Sequence, residues 1–205
     1  TASMDNVVIM LKTFLIFFLA YLVGSVNFAI IFFKLTDRED PRLSYSGNAG
    51  TTNVYRQAGM IWAAFVFFLD IGRALAVAVV AGYYLKVSLL PWAAFFLILG
   101  NSFPCFHGFR GGKGVANYFG YTLLIAPLAA FSAAVAWLVI YGVSRVVFIA
   151  SFFMAFILSV GQANSGLWKF SAVSGAVASF LLILFNHRTN VRHYLSPPNP
   201  ADSEK

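Results

Sequence analysis

Three short stretches of this chain concentrate residue types that can do chemistry, and each of them points to an anion. The first is Ser46-Gly47-Asn48-Ala49-Gly50-Thr51-Thr52-Asn53, followed by Arg56. Hydroxyls, carboxamides and small residues let successive backbone N–H groups turn inward on a phosphate, and the arginine adds charge. The same composition equally suits a polar loop that only reverses the chain at a membrane surface. The second stretch is Gly108-Phe109-Arg110-Gly111-Gly112-Lys113-Gly114. So many glycines do not suit a helix interior, and two cations on such a pliant backbone can wrap a phosphate with amides and ammonium together. A Walker loop is excluded, because that pattern needs glycine where His107 stands and a hydroxyl where Gly114 stands. The bland alternative is a basic turn that snorkels between two spans, which would account for a lysine but not for the glycines around it.

The third stretch holds Asn186, His187, Arg188 and Asn190, with His187 and Asn190 one turn apart if a helix continues through them. They could close over the same site, although a lone histidine at a membrane interface is more often a packing residue. Metal chemistry is not expected. Only three histidines and the single Cys105 are present, and no H-E-x-x-H pattern occurs. Asp70 and Arg73, three residues apart inside an apolar run, can pair on one helix face and read as structural glue slightly more than as function.

The elements that must position these residues are membrane spans. Of 205 residues, 60% are hydrophobic and only 10% charged. The apolar runs are long and continuous rather than alternating, which favours helices over a barrel. Runs at 7–33, 59–84, 89–106, 115–125, 128–143, 146–160 and 170–185 predict an all-α integral membrane protein of about seven transmembrane helices, a single domain over 1–205 with a polar tail at 187–205. The stretch 36–57 reads as the longest polar loop, 161–166 as a polar turn, and the tail, ending Pro197-Pro198-Asn199-Pro200, as extended and mobile. A net charge of +7 in such a chain points to cytoplasmic loops and anionic membrane lipid rather than to nucleic acid. Lys34, Arg38, Arg42, Arg56, Arg110, Lys113, Arg145, Arg188 and Arg192 would share one side, with Lys12, Lys86 and Lys169 on the other. The glycine-rich loops are therefore expected to face the cytoplasm. No inverted pair of interrupted helices marks a transporter.

Taken together and in order, the three stretches resemble the bacterial acyl-phosphate:glycerol-3-phosphate acyltransferase family, known as PlsY. The resemblance extends over nearly the whole chain. It implies seven transmembrane helices in the inner (plasma) membrane and motif loops on the cytoplasmic side. The implied reaction moves a fatty acyl group from acyl phosphate to glycerol 3-phosphate, giving lysophosphatidic acid and phosphate as the first step of phospholipid synthesis, with no cofactor. By position, Ser46, Arg56, Lys113, His187 and Asn190 match the family's catalytic residues. Gly47, Asn48, Gly50, Thr52, Asn53, Arg110, Gly111, Gly112, Gly114, Ser151 and Arg188 match substrate- and phosphate-binding positions. No H-x-x-x-x-D motif is present, and the resemblance implies that none is needed, the substrate phosphate taking the proton. The chain departs from the family pattern at Tyr45, where glycine is normal, at Ala49, where proline or another small residue is common, and at Thr51, where alanine is usual. It also departs at Asn101, often histidine, at Arg73 and Arg110, often lysine, and at Phe148, often serine. Two other readings stand beside this one: a divergent paralogue with another acceptor, and a noncatalytic protein that binds anionic lipid.

Overall fold

The computed structural model describes residues 2–196, and every regular element among them is helical. The helices are α1 (Ala2–Ser25), α2 (Phe28–Leu35), α3 (Thr51–Ala58), α4 (Met60–Tyr84), α5 (Leu90–Ser102), α6 (Val115–Ile125), α7 (Pro127–Ser144), α8 (Val147–Ser165), α9 (Phe170–Asn186) and α10 (Arg188–Leu195). Five stretches are long and apolar enough to cross a bilayer, and a sixth is reached if α9 and α10, bent by 47° at His187, count as one. The remaining apolar helix, α6, has 11 residues. At 1.5 Å per residue it reaches only about half of a ~30 Å hydrocarbon layer. A count of seven therefore holds only if α6 is given a span of its own. It packs against α4 and buries Asn117, Tyr118, Gly120, Tyr121 and Thr122.

The first apolar run is one span broken near its end. Asn27 caps α2 by accepting from the Ile30 amide at 3.0 Å, while its Nδ2 donates to Ala49 O at 3.1 Å. One side chain thus ends the straight helix and tethers the following loop to it. The centre of the bundle is α5, which packs on α1 on one side and α9 on another. Contact with α1 depends on Gly24 and Gly100. A Cβ on either would overlap the facing backbone, Leu97 O for Gly24 and Tyr21 O for Gly100. Bare backbones can approach this closely only when both lack side chains, the small-residue packing that holds helices together where lipid offers no hydrophobic drive. Outward faces, such as Phe14 and Phe18 on α1 or Leu128 and Phe131 on α7, remain exposed for lipid.

Three expectations need correction. The polar stretch 36–57 is not all loop, because a 3-10 turn (Pro41–Leu43) and α3 form within it. Asn53 provides the reason, its buried amide donating to Pro41 O at 2.6 Å and Ser44 O at 3.2 Å. The polar turn at 161–166 is mostly helix, since α8 runs to Ser165 and buries Gln162, which donates to Thr122 Oγ1 at 3.1 Å. The tail after Asn186 is helical as far as Leu195. Pro197, Pro198, Asn199 and Pro200 lie outside the described residues.

Candidate active site

The motif loops converge because the chain ties them to one another. Arg42, paired with Asp40 at 2.6 Å, donates through Nη1 to His107 O at 2.7 Å and Arg110 O at 2.9 Å, joining the loop after α2 to the loop after α5. The Asp40 carboxyl is held below its usual range chiefly by that arginine's hydrogen bond. Ala49 N donates to Gly111 O at 3.3 Å, a second tie between the same loops. The glycine stretch folds back on the end of α5: Gly111 N donates to Ser102 O at 3.1 Å and Gly112 N to Asn101 O at 2.9 Å. These amides satisfy helix-end carbonyls, so they are engaged and not free to hold a phosphate. Gly114, at φ 86, then turns the chain into α6, where a side chain would also run into Ile98.

A cavity of about 500 Å³ opens between these loops and the helices, within the usual range for small-molecule sites. Ser46, Asn48, Gly50, Thr52 and Arg56 border it from the first stretch, Gly112, Lys113 and Gly114 from the second, and His187 and Asn190 from the third. Ser151, on α8, also lines it, donating to Val147 O at 2.9 Å and lying 3.4 Å from Trp137 Nε1. Apolar side chains, Phe67, Phe119, Leu138, Phe148 and Met154, complete the lining. One cavity thus combines cationic and hydrocarbon-like walls.

Five residues matched from sequence do not line it. Gly47 donates its amide to Ser44 O at 3.2 Å, Asn53 holds the loop as described, and Gly111 is bonded to α5. Arg110 is exposed. Arg188 bonds Phe185 O at 3.0 Å and lies over the Phe185 ring on the outer face.

Lys113 donates through Nζ to Asn190 Oδ1, which brings the second and third stretches together. Burial, helped by the nearby charge of Arg56, pushes the Lys113 ammonium down to about 8. Asn186 Nδ2 reinforces the junction by donating to Ser102 Oγ at 2.7 Å. His187 is buried, with Nδ1 2.8 Å from Ile183 O. Because a carbonyl only accepts, Nδ1 carries the hydrogen, and in the neutral ring Nε2 is left as an acceptor.

Sequence reasoning did not place Asn101 or Asn117 at the site and read Asp70 as structural, yet all three line the cavity. Arg73 gathers them. Its Nε donates to Asn117 Oδ1 at 2.8 Å and its Nη2 to Asn101 Oδ1 at 2.7 Å. Nη1 bonds Gly24 O at 3.1 Å and also Val26 O. Asp70 Oδ1 lies 2.9 Å from Nη2, within ion-pair range but without an aligned hydrogen bond. The i,i+3 spacing of Asp70 and Arg73 was the available signal, whereas nothing in sequence brings residues 101 and 117 to the same guanidinium.

A helical membrane fold with a cavity lined by both cations and apolar side chains suits amphiphilic, anionic substrates. Comparison narrows the class. The family model "Glycerol-3-phosphate acyltransferase" matches residues 14–197. The glycerol-3-phosphate acyltransferase of Pseudomonas fluorescens is 36% identical over 177 residues, covering 84% of this chain and 90% of that one. Its counterpart from Methylobacillus flagellatus is 34% identical over 177 residues, covering 86% and 90%. The crystal structure of PlsY (YgiH), an integral membrane glycerol 3-phosphate acyltransferase, superposes in its glycerol 3-phosphate form with a TM-score of 0.82 at 30% identity, over 89% of this chain and 92% of that chain. The lysophosphatidic acid form gives 0.79 at the same identity. This chain belongs to the glycerol-3-phosphate acyltransferase family.

Proposed function

We propose that the protein transfers a fatty acyl group from acyl phosphate to glycerol 3-phosphate, releasing lysophosphatidic acid and inorganic phosphate at the cytoplasmic face of the inner membrane. The observation that carries this reading is one cavity whose lining joins Lys113 and Arg56 to a set of apolar side chains. An acyl phosphate pairs the same two characters, an anionic phosphate and an alkyl chain. The acyl–phosphate bond is already activated, so the protein's main tasks are positioning and charge neutralisation.

In the proposed step an acceptor hydroxyl attacks the acyl carbonyl carbon. The new C–O ester bond forms as the carbonyl–phosphate bond breaks, and the hydroxyl proton leaves on the departing phosphate. Lys113 and Arg56 offset the phosphate charges. Asn190 holds the Lys113 ammonium in place, and Ser46, Asn48 and the neutral acceptor Nε2 of His187 orient polar groups of the substrates. Gly114 and the amides of Thr51 and Thr52, which open α3, replace the engaged Gly111 and Gly112 amides as the candidate phosphate cradle. Ser151 and Trp137, within hydrogen-bond distance of each other, also line the cavity.

The test is phosphate release by the purified protein in detergent or lipid, given palmitoyl phosphate with and without glycerol 3-phosphate, and repeated with Lys113→Ala. Acceptor-dependent release that the variant loses supports the reading. A folded protein that binds palmitoyl phosphate and never releases phosphate with this acceptor rules it out.

A further inference from the structure

Arg73 imposes an orientation on the residues around it. A guanidinium has only N–H donors, so Asn101 and Asn117 must both present oxygen to it, as they do at 2.7 and 2.8 Å. Their Nδ2 groups are thereby turned away from Arg73, and neither has a hydrogen-bond partner among the described residues. The carboxylate of Asp70 is divided in the same way. Oδ1 is fully enclosed, 2.9 Å from Arg73 Nη2 but without an aligned hydrogen bond, while Oδ2 is not enclosed and makes no hydrogen bond among the described residues. All three side chains line the substrate cavity. They are 1–7% exposed, and Asn101 Nδ2 lies against the bare Cα of Gly112, itself on the cavity wall.

We propose that these groups form a hydroxyl subsite that binds the non-reacting C2 hydroxyl of the acceptor and makes the enzyme selective for a glycerol over a deoxy backbone. This inference rests on the reading of glycerol 3-phosphate as acceptor. The donor and acceptor inventory decides the ligand. A phosphate or an acyl carbonyl oxygen only accepts, so it would satisfy the amides while facing the Asp70 carboxylate unpaired. A hydroxyl donates to Asp70 Oδ2 and accepts from the carboxamides, satisfying both kinds of group. The attacking hydroxyl is a poor occupant, because amide donors on its lone pairs would hold back the electrons it must give to the carbonyl. Arg73 acts as a positioning residue, since it reaches the ligand only through the three side chains it holds.

The experiment compares kcat/KM for glycerol 3-phosphate and for 3-hydroxypropyl phosphate, which keeps the attacking hydroxyl and phosphate and lacks only the C2 hydroxyl. A site left with an unpaired buried carboxylate should reject the deoxy acceptor by about 10–100-fold. In Asp70→Asn that preference should fall to within about threefold, whatever happens to the absolute rate; a purely structural role would lower both rates together and leave the ratio intact. Equal use of the two acceptors by the unmodified protein overturns the subsite, and this comparison stands even if the variant does not fold. A preference that survives in a folded Asp70→Asn overturns it as well. Turnover with neither acceptor overturns the glycerol 3-phosphate reading and the subsite with it.

Discussion

Replacing Arg73 by methionine tests whether the buried polar cluster holds the bundle together. The side chain has similar length, so packing changes little while every donor is removed. Two backbone carbonyls, Gly24 O and Val26 O, and the Oδ1 atoms of Asn101 and Asn117 lose their partner. Interhelical hydrogen bonds in a membrane average about 0.6 kcal/mol, so these together come to roughly 2 kcal/mol. The larger effect is on Asp70, which is 7% exposed and 2.9 Å from the guanidinium. Removing one partner of a buried ion pair costs about 3–5 kcal/mol, because the other charge is left uncompensated. Arg73→Met should therefore destabilise by about 5–7 kcal/mol. Adding Asp70→Asn removes the stranded charge and should return about 2 kcal/mol or more. The assay is equilibrium unfolding in detergent micelles across the four-member double-mutant cycle. A loss below about 1 kcal/mol in the single variant, or a coupling energy of zero, would refute the reasoning.

Three further outcomes follow from the same geometry. Lys113→Met removes the cavity's bonded ammonium, and kcat/KM for palmitoyl phosphate should fall by about 10²–10³-fold in the phosphate-release assay, with Lys113→Arg less impaired. The Lys113 ammonium sits at about 8, below the ordinary 10.5, which fixes two signs. Below pH 8 both folded and unfolded chains carry the proton, and burial of the charge opposes folding. Between about 8 and 10.5 the unfolded chain binds more protons, so stability rises with pH. Activity runs the other way: kcat/KM should decline as pH rises through about 8, and Lys113→Arg should shift the decline to higher pH. Tyr45 is 71% exposed and held at φ 55, the left-handed region that costs a non-glycine residue about 1–2 kcal/mol. Tyr45→Gly should therefore raise the melting temperature or leave it unchanged, despite glycine's greater freedom in the unfolded chain; a clear drop would show that the ring makes a contact in the bilayer interface.

The strained Tyr45 and the Arg73 cluster also show where sequence reading stops. Apolar content alone determined that the chain is helical and membrane-embedded, because only a helix or a closed barrel satisfies its backbone in lipid and these runs do not alternate. The short α6 was legible too, since its 115–125 boundaries follow from Gly114 and Pro127 on either side. Catalytic candidates could be found because phosphate chemistry demands glycines, hydroxyls and cations in local clusters, as at 46–56 and 108–114. Which of those clustered atoms remain available was decided by tertiary structure. Gly111 and Gly112 spend their amides on the end of α5, and Asn53 spends its side chain on its own loop. Equally, Asn101 and Asn117 are ordinary residues on separate helices until Arg73, on a third, takes both of their oxygens. Local composition records the ability to bond, while the partner is set by helix packing, in which Gly24 and Gly100 bring α1 against α5 closely enough for the Gly24 carbonyl to reach the same guanidinium.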